Sequence, residues 1–80
     1  MAKRQTVRFN DPWLVAALMC CRFRVSSVGM EPGGLMYFYV VDDRDLDKYT
    51  NLYQSDRIHL KARTFVDNFK KLSERAYANG

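Results

Sequence analysis

Apolar and polar positions alternate over Gln5 to Phe9, with Val7 and Phe9 on one face and Thr6 and Arg8 on the other, which is the period of a strand. Asn10-Asp11-Pro12 breaks the alternation. Asp11 suits an N-cap and Pro12 the first helical position, where a missing N–H costs nothing, so a helix is predicted from Pro12 to about Cys21. That helix is apolar all round and needs cover on more than one side. Phe23 to Met30 reads as a second strand. Phe23 and Val25 alternate with Arg24 and Ser26, and the slip of period at Ser26-Ser27 predicts a bulge. Glu31-Pro32-Gly33-Gly34 is a turn with two residues free to take positive φ. Leu35 to Val41 is the strongest strand. Met36, Phe38 and Val40 form one apolar face, and Leu35, Tyr37, Tyr39 and Val41 form the other. A strand apolar on both faces belongs in the middle of its sheet.

Asp42-Asp43-Arg44-Asp45 opens a second helix, its carboxylates placed to meet free N–H groups and the positive end of the helix dipole. Leu46, Tyr49 and Tyr53, with Leu52 beside them, make one inward stripe, and Gln54 to Asp56 ends the helix. Arg57 to Lys61 alternates basic and apolar residues, a candidate fourth strand. The last helix starts between Lys61 and Thr64, with Thr64 and Asp67 as a capping-box variant competing for the start. Phe65, Phe69, Leu72 and Ala76 give it an apolar face. Arg63–Asp67, Asp67–Lys71 and Lys70–Glu74 are i,i+4 pairs on its wet side. The fold class is therefore α+β in the order β-α-β-β-α-α. A small antiparallel or mixed three-stranded sheet, with the strand at 35–41 in the centre, carries the helices. The whole chain reads as one domain, with residues 1–4 a flexible N-terminus and 79–80 a frayed end.

Eighty residues lie near the lower end of what one core stabilises alone. Apolar residues at 48%, charged at 28% and aromatic at 14% describe a globular chain and exclude a disordered tail, a collagen-like repeat and a disulfide-dense mini-protein. The net charge of +4 is only moderately basic. Adjacent cysteines on a helix point about 100° apart, so Cys20 and Cys21 read as small buried side chains in a reducing compartment. Lys3, Arg4 and Arg8 before the apolar run Trp13 to Cys21 have the look of a secretory signal. Asp11 and Pro12 interrupt the junction, however, and Arg22 and Arg24 follow where a small-residue cleavage site belongs. Nine apolar residues also fall far short of the roughly 20 that span a bilayer. The expectation is a cytoplasmic protein without a membrane segment.

The segments FNDPWLVAALMCCRFRV (Phe9 to Val25), LMYFYVVDDRDLDKYTNLY (Leu35 to Tyr53) and HLKARTFVDNFKKLSERAY (His59 to Tyr77) together resemble a family of short uncharacterised domains found in bacteria and their phages. That family shows a strand ending in Thr-Asn/Asp-Asp, a Leu-Ala-Ala-Tyr-Leu helix, a Gly-Phe-Lys-Leu strand, a Tyr-Phe-x-Phe strand and a closing helix with Phe then Leu-Lys. Here Cys21 stands where the family prefers Gly, and Ala62 where it prefers Pro. The resemblance implies a phage or prophage setting, hence a small accessory or anti-defence factor that engages a host macromolecule. It supplies no catalytic residue.

Candidate chemistry is sparse. The aromatic strand Tyr37-Phe38-Tyr39 after Gly33-Gly34 is similar in order to the RNA-recognition fold, whose sheet stacks bases. Arg8, Arg22, Arg24, Arg57, Lys61 and Arg63, with Lys3 and Arg4, are candidate anion contacts. Two features weigh against that reading. Phe38 stands where the aromatic motif wants a small residue, and Asp42, Asp43, Asp45 and Asp47 follow at once. The protein-binding reading takes Leu35, Tyr37, Tyr39 and Val41 as an interface with a partner or a second copy, since a small domain gains from pairing. Against it stands the arrangement in which the first helix covers one sheet face and the closing helix the other. A third reading is capture of a small anionic nucleotide at a subunit interface by Arg and Tyr side chains. The acidic run lacks the Gly and Glu of a calcium loop, so no metal site is expected. His59 has no motif partner, and no nucleophile elbow or phosphate-binding glycine loop is present. The expectation is a non-enzymatic binding module without cofactor.

Overall fold

The computed structural model describes residues 5–79; the expectations for residues 1–4 (Lys3 and Arg4 included) and for residue 80 lie outside them. Six elements follow one another: β1 (Gln5–Phe9), α1 (Pro12–Cys20), β2 (Val25–Met30), β3 (Met36–Asp42), α2 (Leu46–Gln54) and α3 (Ala62–Asn79). The fold is α+β, with one antiparallel sheet in the order β1-β3-β2. β3 is the central strand, as its two apolar faces require.

Register decides what each face carries. Val7 pairs with Val40 and Phe9 with Phe38 on one side of β3, while Val28 pairs with Phe38 and Met30 with Met36 on the other. These residues point to the helices. Phe38 and Val40 are fully buried with Val15, Leu18, Leu46, Leu72 and Ala76. The alternate positions (Arg8, Gly29, Tyr37, Tyr39) share the opposite face and stand outside that core. The chain thus has two layers, α1 and α3 packing on each other and on the same side of the sheet. This corrects the arrangement that puts α1 and α3 on opposite faces. The apolar-all-round α1 is wrapped instead by α3, α2 and β3, so Val15, Ala16, Ala17 and Leu18 are completely buried without any contribution from the second sheet face.

Local signals explain the element ends. The Asp11 carboxylate accepts from the Trp13 and Leu14 amides at 3.0 and 3.3 Å, with Pro12 just inside the helix. The Gly33 and Gly34 φ angles are 109° and 87°, and the Glu31 N–H donates to the Leu35 carbonyl to close the hairpin. The register of β2 shifts between Val25 and Ser27, the bulge that the sequence pattern marks.

Other boundaries move. β2 begins at Val25, and Phe23 is buried ahead of it against Tyr49. β3 runs from Met36 to Asp42, leaving Leu35 in the turn. Residues 57–61 are irregular and form no fourth strand. α3 starts at Ala62, so Thr64 is already inside it and no capping box opens at that residue. Asp45 precedes α2 without a side-chain capping bond. The i,i+4 charges on α3 do not meet: the ion pairs among the described residues are Arg8–Glu31 and Arg44–Asp43. Exposed pairs of long side chains gain too little to hold one geometry.

Candidate functional site

β3 presents its second face to solvent. At its middle, the Tyr37 and Tyr39 rings meet edge to face at 5.9 Å. Tyr37 leans over β2 onto Gly29. A Cβ at Gly29 would lie 2.9 Å from Tyr37 Cε2 and nearer still to Cζ and Oη. Gly29 is therefore the close-approach glycine of this sheet. From the opposite edge, Arg8 places its guanidinium over the Tyr37 ring, 4.9 Å from the centroid, and pairs with Glu31. Arg8 lies on β1 and Glu31 follows β2, so this pair spans the central strand above Tyr37. The phenol is held between Gly29 beneath and the guanidinium above. Tyr39 and Val41 remain beside it, half-buried, and Leu35 is 52% exposed at the hairpin end. The four expected interface residues thus lie along one strand and its preceding turn, on a face without helices.

The six candidate anion contacts do not form one patch. Arg8 is engaged on the open face, and the Arg24 carbonyl takes the Val41 N–H at 2.8 Å while its side chain is exposed. Arg63 stands on the outer side of α3. Arg57 follows the end of α2. Arg22 and Lys61 do come together, with His59, at a cavity of about 420 Å³ where the end of α1 meets residues 59–61 and the first turn of α3. Cys20 and Cys21 form part of its wall. Burial pushes the pKa of both thiols up; an Asn68 hydrogen bond partly offsets this at Cys20. At Cys21 the neighbouring Cys20 adds to the rise and Arg44 opposes it. Both are free thiols. The two side chains are thereby kept protonated and weakly nucleophilic near neutral pH.

The backbone of this end is distinctive. The Phe23 N–H donates to the Leu18 carbonyl and the Arg22 N–H to the Met19 carbonyl, a Schellman closure that places Arg22 at φ 69°. α2 ends the same way, Arg57 bonding to Leu52 and Asp56 to Tyr53, with Asp56 at φ 60°. Arg44 donates to the Cys21 carbonyl at 2.7 Å and lies over the Phe23 ring at 4.5 Å, putting a cation at the negative end of α1.

Compared with protein-family models, curated proteins and solved structures, the chain matches none. No helix among the described residues is long and apolar enough to cross a membrane. No group of three or more His, Cys, Asp or Glu among them is arranged to hold a metal ion. Sequence reasoning did not find Glu31, Gly29 or Arg44. Each acts on a residue of another element, and only the register of β3 or the path of the chain after α1 brings them together. Asn68 was missed too; among the described residues it is the buried polar side chain of α3. Its amide donates to the Ala16 carbonyl and to Cys20 Sγ, both at 3.3 Å, tying α3 to α1.

Proposed function

We propose that this chain is a non-enzymatic protein-interaction module working through the helix-free face of β3, and that the first occupant of that face is a second copy of the chain. The observation that supports this is the sheet's one-sidedness: Tyr39, Val41 and Leu35 are apolar groups of the central strand and its turn with no layer above them. A domain of this size has few other ways to bury such a surface, and a two-fold pair is the commonest solution. The bulge at Val25–Ser27 blunts the β2 edge, which favours face-to-face over edge-to-edge pairing. In the phage-type setting that the resemblance implies, the dimer works in the host cytoplasm and its target is a host protein.

Base stacking is less well supported. Tyr37 has Gly29 against it on one side and the Arg8 guanidinium on the other, so a base would have to displace the Arg8–Glu31 pair. Sedimentation over a range of concentrations tests the proposal, with single-stranded RNA anisotropy alongside. The wild-type chain is expected to dimerise reversibly, Tyr39→Lys to remain a folded monomer, and RNA to bind weakly and without dependence on Tyr39. A monomer at every concentration, with RNA affinity lost in Tyr39→Ala, would transfer the face to nucleic acid.

A further inference from the structure

A second surface is independent of the open face, since it lies in the helical layer. We propose that the cavity between the end of α1 and the start of α3 binds a small phosphorylated molecule through Arg22 and Lys61. Its volume of about 420 Å³ falls within the range of small-ligand sites, about 300–1,000 Å³. Its lining holds two permanent cations, one imidazole and one hydroxyl, and no carboxylate. Arg8 and Arg44 are already committed to carboxylate, ring or carbonyl partners. Arg22 and Lys61 line the cavity, are exposed, and make no ion pair or side-chain hydrogen bond among the described residues, so both are available to a ligand there.

The backbone adds a second argument. Arg22 closes α1 at φ 69°, where glycine is the usual residue and any Cβ is unfavourable. An arginine here costs folding stability, and it stands exposed beside the cavity that it helps to line. A planar fork paired with a point-charge ammonium is the donor set that suits a phosphate dianion. Thr64 and His59 supply further donors around it. The rest of the wall is neutral or apolar, from the protonated thiols of Cys20 and Cys21 and from Leu60, and it accommodates the organic part of the ligand. No Phe, Tyr or Trp ring lines the cavity, so its two cationic side chains, not a platform of large rings, carry the recognition. The ligand class is a sugar-phosphate-like monoester, recognised by its phosphate and not by a base.

Amide-resolved NMR titration of the full chain tests this, using ribose 5-phosphate, adenosine 5′-monophosphate, adenosine, inorganic phosphate, and chloride at matched ionic strength. Saturable shifts are expected at Arg22, His59, Lys61 and Thr64 with both phosphomonoesters at similar affinity, weaker ones with inorganic phosphate, and none with adenosine or chloride. Arg22→Gly is the informative variant, because it relieves the left-handed residue. It should melt higher than wild type and yet bind ribose 5-phosphate about ten-fold or more weakly, the loss expected for a charged hydrogen-bond donor. Lys61→Ala should weaken binding similarly without changing the melting temperature. The proposal is overturned by shifts that do not saturate or that chloride reproduces, by adenosine binding as well as its monophosphate, or by an Arg22→Gly protein that keeps wild-type affinity.

Discussion

The two faces of β3 are built from similar residues and do different work. Phe38 and Val40 face α1 and α3 and are wholly buried, whereas Tyr37, Tyr39 and Val41, their immediate neighbours, face away from every helix. On the inner face, burial against the helical layer holds each side chain. On the outer face, order comes from smaller devices: a glycine that lets Tyr37 lie down, an edge-to-face ring contact, and an arginine that crosses the strand to a glutamate. Hydropathy alone does not separate the two faces. What separates them is the helical layer, in which α1 and α3 pack on each other and on one side of the sheet.

The comparison breaks first on the inner face. Truncating a fully buried Phe costs about 3–5 kcal/mol, and a domain of 80 residues has only about 4–12 kcal/mol in total at 0.05–0.15 per residue. Phe38→Ala should therefore remove a large share of the unfolding free energy and lower the urea midpoint steeply, whereas Tyr39→Lys in dilute solution should change the unfolding free energy by less than about 1 kcal/mol. Gly29→Ala probes the outer face from beneath. The added methyl must push the Tyr37 phenol off β2, and the expected loss is about 1–2 kcal/mol, with a rise in Tyr37 exposure seen as altered tyrosine fluorescence. If Gly29→Ala stabilised the chain, as strand propensity alone predicts, Tyr37 would not be packed there. Glu31→Ala, which frees Arg8, should cost well under about 1 kcal/mol because the pair is solvent-exposed. Its effect should appear in the Tyr37 ring shifts and hardly in the melting curve.

Alkaline pH tests the helical layer by itself. Cys20, Cys21 and Tyr53 all have folded-state pKa values raised by burial above the ordinary 9.0 and 10.0. The native state then keeps protons that the unfolded chain has released, so their contribution to stability is complete below pH 9 and is lost as the pH climbs through the folded-state values. Thermal melts should fall in that window. Cys20→Ala/Cys21→Ala protein should fall less steeply, and an unchanged slope would mean the thiols are not desolvated.

Much of this architecture is written locally. Asp11-Pro12 declares the start of α1, two-sided apolarity puts β3 in the centre, the broken alternation at Ser26-Ser27 announces the bulge, and Gly33-Gly34 the hairpin. The helix ends were harder because their left-handed residues are Arg22 and Asp56, so the usual glycine signal is missing. The segment 57–61 alternates like a strand, yet it finds no edge to join, since it runs past the end of α1 to start α3. The candidate surfaces were half legible. The outer stripe of β3 could be named from its period, but not the strap over Tyr37, which joins residues 8 and 31. The cavity unites residues 20–22 with 59–64 and is a product of tertiary folding alone.

Dilution of the isotopically labelled chain, followed amide by amide, is the most direct examination of the outer face. Concentration-dependent shifts should gather on Thr6, Arg8, Ser27, Tyr37, Tyr39 and Val41 and vanish in Tyr39→Lys. Shifts that map instead to α3, or a spectrum indifferent to concentration, would contradict the assignment of this face as the place where two copies meet.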